Sequence, residues 1–212
     1  RFQPGEYFHI YNRGVDKRTI FLDDRDRWRF LTLLLLLQGR QDIPQINRLI
    51  PLVKHSMFDN KVFREALKQR EVDLVAFCLM GNHFHLLLGE RTAGGISKYM
   101  QRLSNAYTKS FNTRYKRSGH LFSGRFKSSH IDRNEYLTYL SAYIHLNPRE
   151  VKRWTGREIQ YPWSSFQDFS INNRWGAFLN PAVVKDQFNS DALYQDFVET
   201  TPAKRIWEKI GD

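Results

Sequence analysis

At 212 residues, with hydrophobic side chains at 41% and aromatics at 15%, the chain can bury one sizeable core, which excludes wholesale disorder. No apolar run reaches the roughly 20 residues of a membrane span; the longest, Leu31 to Leu37 with one Thr, reads as a buried helix. Thirty-three Lys and Arg against 22 Asp and Glu leave a net charge of +11, which favours a phosphate-rich partner.

Gly5 to Tyr11 (GEYFHIY) reads as a first strand closed by a turn at Asn12-Arg13-Gly14. Asp23 or Asp24 caps a helix running to about Gln38 with its Leu-rich face inward. Residues 39–70 are mixed and helical in parts. Val72 to Met80 and His83 to Gly89 are apolar runs separated by Gly81-Asn82, a tight-turn pair, and form an antiparallel pair of strands. Cys78, the single cysteine, lies mid-strand there and reads as buried; it can form no internal disulfide, and no secretory leader is recognisable, so a reducing, cytoplasmic setting is expected.

Gly94-Gly95 precedes a second helix, about Ile96 to Tyr115, with Ile96, Met100, Leu103, Tyr107 and Phe111 on one stripe. Lys98, Arg102 and Lys109 lie off that stripe and face solvent or nucleic acid. Gly119 to Gly124 breaks the pattern, and Arg125 to Ile131 reads as a fourth strand. A third helix runs from a cap near Asp132 to Leu146, where Asn147-Pro148 stops it. Beyond it, Trp154, Trp163-Ser-Ser and short helical stretches at about 181–188, 191–199 and 202–210 form a C-terminal extension. The order β-α-β-β-α-β predicts a ferredoxin-like (RRM-like) α+β fold: an antiparallel sheet with helices on one face, its first and third strands central. The expected division is a domain over 1–150, with 39–70 as an insertion, and an extension over 151–212 packed on it.

Two features carry chemistry. His83-Phe84-His85 puts two imidazoles on the same face of a strand, half of a divalent-metal site; the plainer alternative is a hairpin with two core histidines. In the third helix Tyr136, Tyr139 and Tyr143 share a face that Asn147 joins, beside an apolar stripe of Leu137, Leu140 and Ile144. His145 points away from Tyr143 and reads as structural. The plainer alternative for this helix is tyrosine-rich packing. A structural zinc site would want four closed ligands rich in Cys, and there is one thiol.

Charge is unevenly spread. From Arg91 to Ile131 there is no acid, while Arg91, Lys98, Arg102, Lys109, Arg114, Lys116, Arg117, Arg125 and Lys127 supply nine positive charges. Lys116, Arg117, Arg125 and Lys127 are the better DNA candidates, with Arg13, Lys98, Arg102 and Arg114 beside them. Interleaved aromatics such as Tyr115, Phe122 and Phe126 can stack on unpaired bases, whereas Tyr107 and Phe111 belong to the packing stripe.

Five stretches taken together resemble the REP-associated tyrosine transposases, a bacterial branch of the single-tyrosine HUH transposases. They are Tyr7-Phe-His-Ile-Tyr-Asn-Arg-Gly14, Leu79-Met-Gly-Asn-His-Phe-His-Leu-Leu-Leu88, Gly119-His-Leu-Phe-Ser-Gly-Arg-Phe-Lys-Ser128, Tyr143-Ile-His-Leu-Asn-Pro148 and Trp163-Ser-Ser165. The resemblance covers most of residues 5 to 170. It implies that His83 and His85 are the metal-binding pair, that Tyr143 is the nucleophile, and that Asn147 stands where relatives supply a third, amide-type ligand. It implies Mg²⁺ or Mn²⁺, a covalent 5′-phosphotyrosine intermediate, and single-stranded or hairpin DNA, namely repetitive extragenic palindromes. No membrane and no nucleotide cofactor is implied; the setting would be the bacterial nucleoid, and the assembly a monomer or a homodimer. Gly81 stands where the family often has Pro, and 39–70 is longer than the usual link. Two other functions remain: a ferredoxin-like nucleic-acid-binding module without cleavage, and an HUH replication initiator or relaxase.

Overall fold

The computed structural model describes residues 2–40, 45–59, 61–203 and 206–207. Four strands, β1 (Tyr7–Arg13), β2 (Val72–Leu79), β3 (His83–Glu90) and β4 (Lys127–Ile131), form one antiparallel sheet in the order β2-β3-β1-β4. The first and third strands are central, as the element order requires of a split β-α-β unit. β1 runs two residues beyond the expected Tyr11, and β4 starts two residues after the expected Arg125.

Helix α1 (Asp24–Leu36) begins where the Asp23 side chain accepts from the Asp26 backbone N–H. Helix α4 (Gly95–Arg114) carries the expected stripe, and all five of its side chains are buried. Its start depends on two glycines: Gly94 sits at φ +75°, and a Cβ on Gly95 would meet the Glu71 carbonyl oxygen at 2.4 Å. The Glu90 carboxylate accepts from the backbone N–H groups of Gly95 and Ile96, which the negative end of a side chain stabilises at a helix N-terminus. Together α1 and α4 form the expected helical layer on one face of the sheet, where Phe30 packs edge to face on Tyr107 and Phe84 on Phe122.

The opposite face is covered by α5 (Asn134–Leu146) and the extension. α5 begins two residues later than Asp132, after Arg133, whose side chain makes no cap bond. Its apolar stripe, Leu137, Leu140 and Ile144, is buried. Tyr139 packs on Phe197 of α8 (Asp191–Thr200), with ring centroids 5.6 Å apart.

Among the described residues of the 39–70 stretch there are two helices, α2 (Ile46–Lys54) and α3 (Lys61–Lys68); residues 41–44 and 60 lie outside the described ones. Phe58 and Phe63 of this insertion pack against Phe178 of the extension. Trp163-Ser-Ser runs along the free edge of β2: Leu79 N–H donates to the Trp163 carbonyl and Ser165 N–H to the Phe77 carbonyl. In the extension α6 (Phe166–Ser170) and α7 (Ala182–Lys185) precede α8, and most of the expected 202–210 stretch lies outside the described residues.

Candidate active site

The pleat of the sheet assembles one polar face. β1 and β3 pair so that Arg13 opposes His83 and Tyr11 opposes His85; β1 and β4 pair so that Tyr11 opposes Lys127. Directly paired residues share a face, so Arg13, Tyr11, His83, His85 and Lys127 point the same way, toward α5. Tyr143 of α5 closes on them, its ring centroid 5.3 Å from that of His85 and nearly perpendicular to it. These groups line a cavity of about 570 Å³, whose rim adds Lys17, Arg125 and Glu150.

The two histidines are held differently. The β2–β3 turn positions His83: Asn82 Nδ2 donates to the Lys17 carbonyl at 3.1 Å, and Asn82 Oδ1 lies 2.7 Å from His83 Nδ1. That oxygen can only accept, so His83 carries its proton on Nδ1 and offers a lone pair on Nε2. Glu150 Oε2 stands 3.9 Å from that nitrogen. His85 Nδ1 instead lies 2.9 Å from Nε2 of His9, a third histidine on the same face. Burial holds His9 neutral, its pKa pushed down to about 3.

The loop before β4 is tied to the end of β1. Asn12 Nδ2 donates to the Gly124 carbonyl, and Ser123 N–H to the Arg13 carbonyl. This brings Arg125 to the rim. Gly14 has no room for a side chain, since a Cβ there would fall 2.2 Å from the Arg18 carbonyl oxygen.

Of the basic residues singled out in the sequence, Arg13, Arg125 and Lys127 line the cavity, and Lys127 Nζ lies 5.9 Å from the Tyr11 ring centre. Lys98 and Lys116 are exposed elsewhere on the surface. Arg102 donates to the carbonyls of Leu37 and Gly39 and to the buried Glu71 carboxylate at 2.8 Å. Arg114 grips Asp23 and Asp26, and Arg117 spans Asn112 and His120. Asn147 is buried at the end of α5, its Nδ2 donating to the Tyr143 carbonyl at 2.8 Å, and it is not among the residues lining the cavity. Tyr136 lies under Arg133, away from the histidines.

Sequence reasoning missed His9, Lys17, Glu150 and Trp207. His9 could have been found, because the alternation His9-Ile10-Tyr11 on a central strand puts it on the face of Tyr11. Glu150 and Trp207 carry no such pattern. Among the described residues no cluster of three His, Cys, Asp or Glu is tight enough to hold a metal ion, and no helix is long and apolar enough to cross a membrane.

Residues 54–147 match the family model described as Transposase IS200 like. A solved structure of the REP-associated tyrosine transposase bound to a REP hairpin is similar at a TM-score of 0.55 and 12% identity, covering 85% of this chain and 88% of that one. At that identity the likeness shows the fold. No curated protein matches the chain. The matched stretch contains His83, His85 and Tyr143, so over residues 54–147 the chain is similar to the IS200-like transposases.

Proposed function

We propose that the protein is a divalent-metal-dependent DNA nickase and strand transferase, with Tyr143 as nucleophile and single-stranded or hairpin DNA as substrate. The observation that carries this is the meeting of Tyr143 with the His83/His85 pair in a cavity rimmed by Arg13, Lys17, Arg125 and Lys127. The match to IS200-like transposases supports it, and the fold-related transposase bound to a REP hairpin makes palindromic repeats the first substrates to try.

Two imidazoles, a carboxylate and an amide oxygen are donors that a divalent cation accepts once they draw together around it. His83 offers Nε2, Glu150 a carboxylate 3.9 Å away, and His85 a second imidazole on the same strand face. Asn147 commits its nitrogen to the end of α5, so its oxygen would be the ligating atom. A bound Mg²⁺ or Mn²⁺ would supply Lewis acidity at the scissile phosphate.

The remaining work falls to side chains. Arg13, Lys17, Arg125 and Lys127 hold the backbone phosphates and offset the charge that develops on them. The Tyr143 hydroxyl oxygen bonds to phosphorus while the bond from phosphorus to the 3′ oxygen breaks. The tyrosine proton ends on that oxygen, giving a free 3′-OH and a 5′-phosphotyrosine. The covalent link conserves the phosphodiester energy, so rejoining is the reverse reaction and needs no ATP.

The test is a denaturing gel of labelled hairpin oligonucleotides incubated with protein and Mn²⁺, alongside Tyr143→Phe and His83→Ala. A metal-dependent protein–DNA adduct, absent in both variants, is expected. An adduct that survives Tyr143→Phe would move the nucleophile to Tyr139 or Tyr136. Tight binding without any adduct would make the protein a binding module.

A further inference from the structure

His9 takes no part in the chemistry above, yet it is buried on the cavity face, between His85 and Trp207. Its Nε2 lies 2.9 Å from His85 Nδ1, and its Nδ1 accepts from Trp207 Nε1 at 3.3 Å. An indole N–H can only donate, so His9 Nδ1 is a lone pair. The single proton of a neutral imidazole is then on His9 Nε2, and it is donated to His85 Nδ1. His85 therefore accepts at Nδ1 and carries its own proton on Nε2. His9 and Tyr11 are successive residues on one face of a central strand and Tyr11 is the direct partner of His85, so His9 lies diagonally across the ladder from His85. The neighbouring His83 is set in the opposite tautomer by Asn82.

We infer that His9 is a positioning residue for His85: it dictates which ring nitrogen of His85 bears the proton, and thereby whether His85 can ligate a cation through Nε2. The inference rests on the reading of His83 and His85 as cation ligands. Ligation at His85 Nε2 requires each ring to keep one proton but on the other nitrogen. His85 Nδ1–H then donates to His9 Nε2, and His9 holds its proton on Nδ1. That N–H confronts the Trp207 N–H, two donors with no acceptor between them. The Trp207–His9 hydrogen bond and a cation on His85 thus exclude each other, and each weakens the other by the same factor. Second-sphere partners of ligating histidines typically change metal affinity by about 10–100-fold.

Long-range ¹H–¹⁵N spectra of the metal-free protein report the tautomer of each histidine, and calorimetry with Mn²⁺ reports affinity. In the wild type His85 should be protonated on Nε2. Trp207→Phe keeps the ring and removes the donor; it should move the His85 proton to Nδ1 and tighten Mn²⁺. His9→Phe removes the group that donates to His85 Nδ1, so the His85 proton should no longer be fixed on Nε2 in the metal-free spectra. If His9→Phe does not fold, the Trp207→Phe spectra and titration decide alone. Wild-type tautomer and affinity in Trp207→Phe would overturn the inference. A wild-type protein that binds no Mn²⁺ would sink the cation reading, whereas the metal-free spectra would still decide the role of His9.

Discussion

His145 shows how a titratable side chain can serve packing alone. Its Nε2 lies 2.9 Å from Ser165 Oγ and its Nδ1 2.7 Å from the Tyr194 hydroxyl, and burial pushes its pKa down to about 3. The unfolded chain protonates near pH 6.5 while the folded one stays neutral. The folded state is therefore favoured fully above pH 6.5 and loses about 1.4 kcal/mol per pH unit from this residue as pH falls from there toward 3. Urea unfolding between pH 7 and pH 5 should show that loss beside a similar one from the buried His9, and His145→Asn should roughly halve the slope. The helical spacing already turned His145 away from Tyr143, so its structural role was readable from sequence. Strand alternation places His9 on the cavity face, but what it does there was not readable, because that depends on a cross-strand neighbour 76 residues away and on Trp207.

Among the elements, α4 shows where charge counting fails. Arg102 looks like a solvent-facing DNA contact, yet its guanidinium closes the end of α1 onto Glu71 at the start of β2. Such a bond unites residues 31 positions apart, which no local spacing reveals. Removing one partner of a buried pair costs about 3–5 kcal/mol, and Arg40 Nε, 3.1 Å from the same carboxylate, softens the loss. Arg102→Ala should therefore lower the thermal midpoint by several degrees in a calorimetric scan. The helix stripes, the strand order and the shared face of His83 and His85 were legible because periodicity dictates them. Asn147 was placed correctly on the helix end, but its amide turns to the Tyr143 carbonyl, a choice set by the unpaired carbonyls of a helix C-terminus.

For the whole molecule, the net charge of +11 divides into structural and open portions. Arg102, Arg114 and Arg117 are engaged in internal contacts, whereas Arg13, Lys17, Arg125 and Lys127 edge the cavity. Hairpin affinity measured against salt should separate them: Lys127→Ala should lower the slope of log K against log salt by about 1, and Arg102→Ala should leave it unchanged. The insertion and the extension meet at Phe58, Phe63 and Phe178, so two segments that look dispensable in sequence share one apolar contact. The strip Trp163-Ser-Ser has a wider consequence. β2 is an outer strand eight residues long and almost wholly apolar, and its backbone groups find partners in that strip. A chain cut after residue 150 would keep every group proposed for catalysis and would lose this cover. Its bare strand would then template pairing with other copies, and the shortened protein would meet insolubility before any loss of chemistry.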